Sequence, residues 1–324
     1  MKRIGVFTSG GDSPGMNAAV RAVVRTGIFH NMEVFGIYRG YEGMIDGEII
    51  KMESHSVANI IQRGGTILKT ARSQRFMTPE GRAEAYAQLK KHGIEGLVII
   101  GGDGSFRGGL ALSNEYSEIK VVGVPGTIDN DLFGTDFTIG YDTAINTVVE
   151  AVDKLRDTAA SHNRLFFVEV MGRDAGFIAL RSGIAVGAED ILVPETKTHI
   201  EDLIRKLEQG RRHNKTSGII IVAEGDDCGG AIEVAAKVKE KFSHYETRVA
   251  IIGHLQRGGN PTCMDRVLAS RLGHAAVEGL REGQHAVMAG QVDGKIVYVP
   301  FEKATKHHND INRQMLEMAR ILST

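Results

Sequence analysis

Leu97-Val-Ile-Ile-Gly-Gly-Asp-Gly-Ser105 decides how this chain is read. Four apolar residues in succession predict a buried strand. Glycines at 101, 102 and 104 predict a sharp turn that brings backbone N–H groups close to a bulky anion. Asp103 sits among those glycines. It is a candidate Mg²⁺ ligand, because Mg²⁺ binds through one or two carboxylates plus phosphate oxygens. A second apolar strand, Val121-Val-Gly-Val124, runs into Pro125-Gly-Thr-Ile-Asp-Asn-Asp131. Either turn alone reads as an ordinary connection. Two strands that each end in glycine and carboxylate are better explained by one phosphoryl-transfer site.

Working outward, short apolar strands are expected near 4–8, 33–37, 97–101, 120–124, 165–170, 190–194, 218–224 and 248–253, with amphipathic helices between most of them. One helix runs from about Asp142 to Ala160, with Ile145, Val148, Val149, Val152 and Leu155 at helical spacing. Another opens at Pro79 and Glu80 and stops at Gly93. Continuous apolar runs such as Ile219-Ile-Ile-Val222 suit a parallel sheet covered on both faces. The expected class is therefore α/β, doubly wound, with mainly parallel sheets. At 324 residues two domains are expected, split near residue 140, because the phosphate-type turns are concentrated before it.

Composition narrows the partners. With 39 basic and 40 acidic residues, the net charge of −1 argues against a general nucleic-acid binder. Cys228 and Cys263 lie far apart and form no CxxC, so neither a disulfide framework nor a zinc site is expected, and a reducing cytoplasm fits. Met-Lys-Arg leads straight into a strand. No signal peptide is expected, and no apolar run approaches the ~18 residues of a membrane span.

In open α/β sheets, ligands bind beyond the carboxyl ends of the strands. Strand one ends in Thr8-Ser-Gly-Gly-Asp-Ser-Pro-Gly15 before a helix, an anion site made of N–H groups. No GxxxxGK[ST] exists in the chain, and GGDGSFRGG does not fit GxGxxG, so P-loop and Rossmann readings fail. Later strands are bracketed by basic groups: His162-Asn-Arg164 and Met171-Gly-Arg173 around one, Arg248 and Gly253-His-Leu-Gln-Arg-Gly-Gly259 around another. Arginine forks match phosphate oxygens, and this set is better explained by a phosphorylated substrate than by surface salt bridges. Glu224 ends Ile-Ile-Ile-Val-Ala-Glu. It could accept from sugar hydroxyls or equally cap a loop. Arg21 and Arg25, one helical turn apart, fit a solvated face or a second phosphate ligand.

Taken in order, Thr-Ser-Gly-Gly-Asp-Ser-Pro-Gly-Met-Asn-Ala, Gly-Gly-Asp-Gly-Ser, Pro-Gly-Thr-Ile-Asp-Asn-Asp, Met-Gly-Arg and Gly-His-Leu-Gln-Arg-Gly-Gly resemble the bacterial 6-phosphofructokinases over essentially the whole chain. That resemblance implies transfer of the ATP γ-phosphoryl to the 1-hydroxyl of fructose 6-phosphate, Mg²⁺ as cofactor, and a cytoplasmic homotetramer with active and effector sites between subunits. It implies two discontinuous domains: residues 1–139 plus about 256–304 for ATP and Mg²⁺, and 140–255 plus about 305–324 for fructose 6-phosphate.

The resemblance assigns roles residue by residue. Asp129 matches the catalytic base and Asp103 the Mg²⁺ ligand, with Asp131 in the same polar cluster. Gly11, Arg72, Ser73, Gly102, Gly104 and Ser105 match ATP-phosphate positions. Thr127 and Arg173 match groups near the transferring phosphoryl. Met171, Gly172 and Glu224 match sugar contacts. Arg164, Arg248, His254 and Arg257 match the 6-phosphate cradle, with Arg164 and Arg248 reaching in from a neighbouring subunit.

Arg21, Arg25, Arg156, Gly187, Glu189 and Lys215 match an effector site for ADP or phosphoenolpyruvate. His213, Ser217 and Ser54 stand where relatives often carry other, mostly basic, residues. Pyrophosphate-dependent relatives typically carry Asp where this chain has Gly104 and Lys where it has Gly126, so both positions point to ATP. The alternatives are a pyrophosphate-dependent enzyme, a lipid or NAD kinase sharing only the Gly-Gly-Asp-Gly turn, and an inactive nucleotide sensor. The second leaves the basic strand ends unexplained. The third is opposed by the presence of Asp103 and Asp129.

Overall fold

In the computed structural model, residues 1–213, 215–242, 244–306 and 310–323 are described. The chain begins β1 (Arg3–Thr8), α1 (Met16–Phe29), β2 (Glu33–Ile37), α2 (Gly40–Asp46), β3 (Ile49–Met52), α3 (Pro79–His92), β4 (Gly96–Gly101), α4 (Asp103–Glu115) and β5 (Lys120–Pro125). It continues α5 (Tyr141–His162), β6 (Arg164–Val170), α6 (Phe177–Ala185), β7 (Asp190–Leu192), α7 (Ile200–Arg212), β8 (Gly218–Ala223), α8 (Ala231–Lys241) and β9 (Glu246–Ile251). It closes with α9 (Cys263–Arg281), β10 (Val287–Val292), β11 (Lys295–Pro300), α10 (Phe301–Lys306) and α11 (Arg313–Leu322).

Two compact units result. The first comprises Met1–Ile128, Leu132–Thr143 and Arg257–Asn309; the second comprises Asp129–Asp131, Ala144–Gln256 and Asp310–Thr324. In the first, seven strands lie in the order β11-β10-β5-β4-β1-β2-β3. Its centre is parallel, while β3 and β11 run antiparallel to their neighbours. Successive residues of a strand face opposite sides. Val98 and Ile100 accordingly pack with Val20 and Val23 of α1 and Leu268 and Leu272 of α9. Leu97 and Ile99 pack with Leu89 of α3, Phe106 of α4 and Phe301 of α10. Both sides are buried, which is why the strand reads as an unbroken apolar run.

The second unit holds a wholly parallel sheet, β7-β8-β6-β9. Phe167, Ile220 and Val222 pack on Leu203 and Leu207 of α7 and Val234 and Val238 of α8. At the edge, β9 leaves Val249 and Ile251 exposed. No described helix is long and apolar enough to cross a membrane.

The expected α/β class with mainly parallel sheets holds, with local differences. The segment expected as a strand at 248–253 pairs from Glu246 to Ile251, because Gly253 turns with φ +52° into a short 3-10 helix, Gly253–Arg257. The strand expected at 190–194 stops at Leu192. Three strands have no counterpart in the reading above. In β3 the run Ile49-Ile-Lys-Met52 breaks the period-two pattern. The β10–β11 hairpin turns on Asp293 (φ 48°) and Gly294 (φ 75°). That Asp-Gly pair is a two-residue turn signal left unused.

Candidate active site

The Gly-Gly-Asp-Gly segment is tighter than its glycines imply. Strand β4 runs through Gly101, and α4 starts at Asp103, so Gly102 alone makes the connection, in extended backbone (φ −102°). Space, rather than a left-handed φ, demands glycine at 101. A Cβ there would lie 2.5 Å from both the Ser105 hydroxyl and the Ser9 carbonyl oxygen. Asp103 occupies the first turn of α4, where the helix dipole favours a carboxylate. Its Oδ1 is 2.9 Å from Arg107 Nε, an i,i+4 pair. Arg107 also donates to the Thr305 carbonyl at 3.1 Å. Nothing lies within 4 Å of the Cβ direction at Gly104, so the helix start faces open space there.

Strands β4 and β5 are parallel, with Gly101 opposite Pro125, so their terminal turns lie side by side. Gly126 N–H donates to Gly101 O at 3.0 Å. A Cβ on Gly102 would be 3.8 Å from that of Thr127. Thr127 is buried, and its carbonyl accepts from the Thr138 hydroxyl at 2.6 Å. The β1–α1 loop is held nearby: Ser9 N–H donates to Ile100 O at 2.9 Å, and Thr70 Oγ1 to Gly10 O at 2.8 Å. Gly11 admits Arg257, whose Nη1 lies 2.7 Å from where a Cβ would be. Arg257 donates to the Asp12 carbonyl at 3.3 Å. The Ser73 hydroxyl donates to the Glu42 carboxylate, which also holds Arg75 at 2.9 Å; Arg72 is exposed.

In the second unit, Asp129 is buried and its Oδ2 lies 3.3 Å from Arg173 Nε. Asn130 (φ 54°) and Arg173 (φ 54°) both take left-handed backbone, a strained arrangement found in tightly determined turns. Asp131 is half-buried. The turn after β6 is held by two residues, Glu224 and Gln256. Glu224 Oε1 accepts from Gly172 N–H (3.1 Å) and Arg173 N–H (2.7 Å). The Glu224 N–H donates to Val170 O at 3.0 Å. Gln256 Oε1 accepts from Met171 N–H at 2.8 Å. Among the described residues, the buried Gln256 Nε2 and the buried Ser13 hydroxyl have no hydrogen-bond partner.

Arg164 and Arg248 converge on one acid. Arg164 Nε is 2.8 Å from Glu246 Oε2, and Arg248 pairs with Glu246 Oε1. His254 is exposed. Of the effector candidates, Arg156 donates to the Val186 carbonyl and, at 3.4 Å, to that of Gly187, whose φ is +59°. Lys215 Nζ lies 2.9 Å from Glu189 Oε2 and donates to Ser323 O at 3.2 Å. His213 caps the C-terminus of α7, Ser217 precedes β8, and Ser54 opens a short 3-10 turn. On α1, burial and the charge of Arg25 pull the Arg21 guanidinium below its ordinary value.

Four residues of these networks escaped the reading of the sequence. Arg107 follows Asp103 by one helical turn, a spacing that could have been used. Gln256 lay inside a quoted motif. Glu42 and Glu246 act through strand register and loop contacts that no local pattern encodes.

A phosphofructokinase family model matches residues 3–280. ATP-dependent 6-phosphofructokinase 1 of Thermus thermophilus is 58% identical over 323 residues, covering 100% of each chain. ATP-dependent 6-phosphofructokinase 2 of Bacteroides thetaiotaomicron is 55% identical, over 100% of this chain and 99% of that protein. The structure of phosphofructokinase from Saccharomyces cerevisiae superposes with a TM-score of 0.90 at 39% identity, covering 94% of this chain and 45% of the yeast chain. This chain therefore spans under half of that subunit. A pyrophosphate-dependent phosphofructokinase from Marinobacter aquaeolei shares the fold, with a TM-score of 0.85 at 23% identity over 98% of this chain and 91% of that one. On the family match and the full-length relatives, the chain belongs to the phosphofructokinase family.

Proposed function

We propose that this chain is an ATP-dependent 6-phosphofructokinase, moving the γ-phosphoryl of ATP to the 1-hydroxyl of fructose 6-phosphate to give fructose 1,6-bisphosphate and ADP. The observation that carries this reading is the buried Asp129 carboxylate beside Arg173, in the turn that follows β5. Asp129 takes the proton of the sugar hydroxyl. Arg173 pairs with that carboxylate, and Arg173 and Thr127 answer the charge of the transferring group. Asp131 adds to the polar surround. In phosphoryl transfer, positioning and charge neutralisation do most of the work.

The first unit takes the nucleotide. Gly11, Arg72, Ser73, Gly102, Gly104 and Ser105 line its phosphates, and the open direction at Gly104 leaves room for an ADP tail. Asp103 would hold Mg²⁺: it is a partly exposed carboxylate on a helix rim, and one of its oxygens is engaged by a side chain that can swing away. When bound, the ion neutralises phosphate charge. The second unit takes the sugar phosphate. Met171, Gly172 and Glu224 hold the sugar; Arg164, Arg248 and His254, joined by Arg257, hold the 6-phosphate.

The enzyme acts in the cytoplasm as a homotetramer, with Arg164 and Arg248 serving a neighbour's substrate. In support, β9 is a sheet edge on which Arg248 is followed by the exposed apolar Val249 and Ile251. ADP or phosphoenolpyruvate regulates it through Arg21, Arg25, Arg156, Gly187, Glu189 and Lys215, with His213 and Ser217 alongside. Arg21 and Arg25 lie one turn apart on α1, and two like charges at that spacing support an anionic ligand there. A coupled assay of the purified protein with fructose 6-phosphate, run with ATP and with pyrophosphate, tests the reading. Turnover with ATP alone is expected; robust turnover with pyrophosphate would overturn the donor.

A further inference from the structure

Helix α9 buries a carboxylate that the reaction above does not use. Asp265, in its first turn, is 1% exposed and faces the start of α5. Its Oδ1 accepts from Gly140 N–H at 2.8 Å. Its Oδ2 accepts from Thr143 N–H at 2.8 Å and from the Thr143 hydroxyl at 2.5 Å. These N–H groups belong to the α5 entrance, whose donors have no intrahelical partner. The capping runs both ways. Thr262, the N-cap of α9, receives Asp265 N–H at 3.2 Å and donates its hydroxyl to Asp142 of α5 at 2.6 Å. Thr262 N–H donates to Thr143 Oγ1 at 3.0 Å.

The capped segment is the one that closes on the Thr127 turn. Ile139 N–H donates to Pro125 O at 2.9 Å, and Thr138 Oγ1 to Thr127 O at 2.6 Å. Gly140 has φ +101°, and a Cβ there would fall 2.6 Å from Ser13 Cβ in the β1–α1 loop. Asp265 thus fixes a short bridge whose other end is Thr127, two residues along the chain from Asp129. The residue before α5, Gly140, cannot supply a side-chain cap, because a Cβ there would meet Ser13. Here the acceptor comes from more than a hundred residues away and takes two backbone donors and a hydroxyl together.

We propose that Asp265 is a positioning residue for phosphoryl transfer, setting the Thr127–Asp129 turn through the 138–143 bridge; this rests on the reaction proposed above. Two measurements on the full-length protein test it. In steady-state kinetics, Asp265→Asn is expected to lower kcat by about 10- to 100-fold, the scale of a misplaced catalytic group, with the KM for ATP and for fructose 6-phosphate within about threefold of wild type. Thr143→Val, which keeps both backbone bonds, is expected to lose about threefold. A folded Asp265→Asn with kcat within twofold of wild type would overturn the proposal, as would one in which only the KM values change.

Amide hydrogen exchange supplies a readout independent of turnover. The N–H that faces the new amide NH2, Gly140 or Thr143, loses its direct partner and exchanges faster in Asp265→Asn. The informative amide is Ile139, which bonds Pro125 and not Asp265; it is expected to lose protection at least tenfold. Unchanged protection at Ile139 would mean a local cap with no reach to the catalytic turn. Should Asp265→Asn fail to fold, Thr143→Val carries both arms, and a variant indistinguishable from wild type in both would overturn the proposal. Absence of ATP-dependent turnover in the wild-type protein would count against the reaction alone.

Discussion

A buried Asp129 carboxylate with the Arg173 guanidinium 3.3 Å away is the arrangement proposed to take the hydroxyl proton. Removing the carboxylate leaves nucleotide binding to the other unit's residues. Asp129→Ser is expected to cut kcat by roughly 10²- to 10⁴-fold, the worth of a general base; retention of a tenth of wild-type kcat would sink the assignment. The arginines proposed for the sugar phosphate lead to a different forecast. Glu246 holds both Arg164 and Arg248, so the two are oriented before any phosphate arrives. Loss of one charge-assisted contact costs about 1.5–3 kcal/mol, or about 10- to 150-fold in affinity. Arg164→Ser should therefore raise the KM for fructose 6-phosphate by that factor and leave the KM for ATP alone. Mixing Arg164→Ser with Asp129→Ser subunits should restore sites with the wild-type KM for fructose 6-phosphate if the arginine serves a neighbour. At this scale the candidate residues were legible, because arginine and aspartate at strand ends stand out against apolar runs. Their partners were not. Glu246 meets Arg164 only because β6 and β9 pair in one register.

Elements explain why some glycines are tolerant and others are fixed. On the first turn of α4, a side chain at Gly104 meets nothing within 4 Å, and an acid suits a helix N-terminus. Gly104→Asp should therefore fold with wild-type Tm, yet use ATP poorly, because the new carboxylate stands where the nucleotide phosphates are proposed to lie. An unchanged KM for ATP would remove Gly104 from that site. Gly140 is the opposite case. Its φ of +101° is left-handed, and its Cβ position is already filled by Ser13. Strained backbone costs about 1–3 kcal/mol and overpacking a similar amount, so Gly140→Ala should lower the unfolding free energy by several kcal/mol in denaturant titration. Sequence patterning distinguished elements well where both sheet faces are covered. In β4, β5, β6 and β8 every residue but a few is apolar and buried. It failed at the edge strands β3 and β11, which are partly exposed, and at the buried β10, where Ala289, Gly290 and Gln291 dilute the apolar signal.

Across the whole molecule, the burial of Asp265 ties stability to pH. Burial is the main cause that pushes its carboxyl from 3.8 up to about 6, and the like charge of Asp142 adds to it; the hydrogen bonds from Thr143 and Gly140 oppose both. The folded state thus binds this proton more tightly than the unfolded chain. Between about pH 4 and pH 6 the folded protein carries more protons, so stability from this group is fully present below 3.8 and is lost as pH rises through 6. At 1.36 kcal/mol per unit, the loss is on the order of 3 kcal/mol. Asp265→Asn cannot titrate, so it removes this slope, while leaving one N–H without an acceptor costs about 1–3 kcal/mol at every pH. The two effects oppose each other above pH 6. Wild type and Asp265→Asn should therefore have similar Tm at pH 7.5, whereas near pH 4.5 the wild type should be the more stable by several degrees. Differential scanning calorimetry of both proteins at the two pH values decides it. A stability gap that stays constant between them would mean that Asp265 is ionised with an ordinary carboxylate affinity in the folded state. A gap that widens toward neutral pH would reverse the sign and make its charge an asset to the fold.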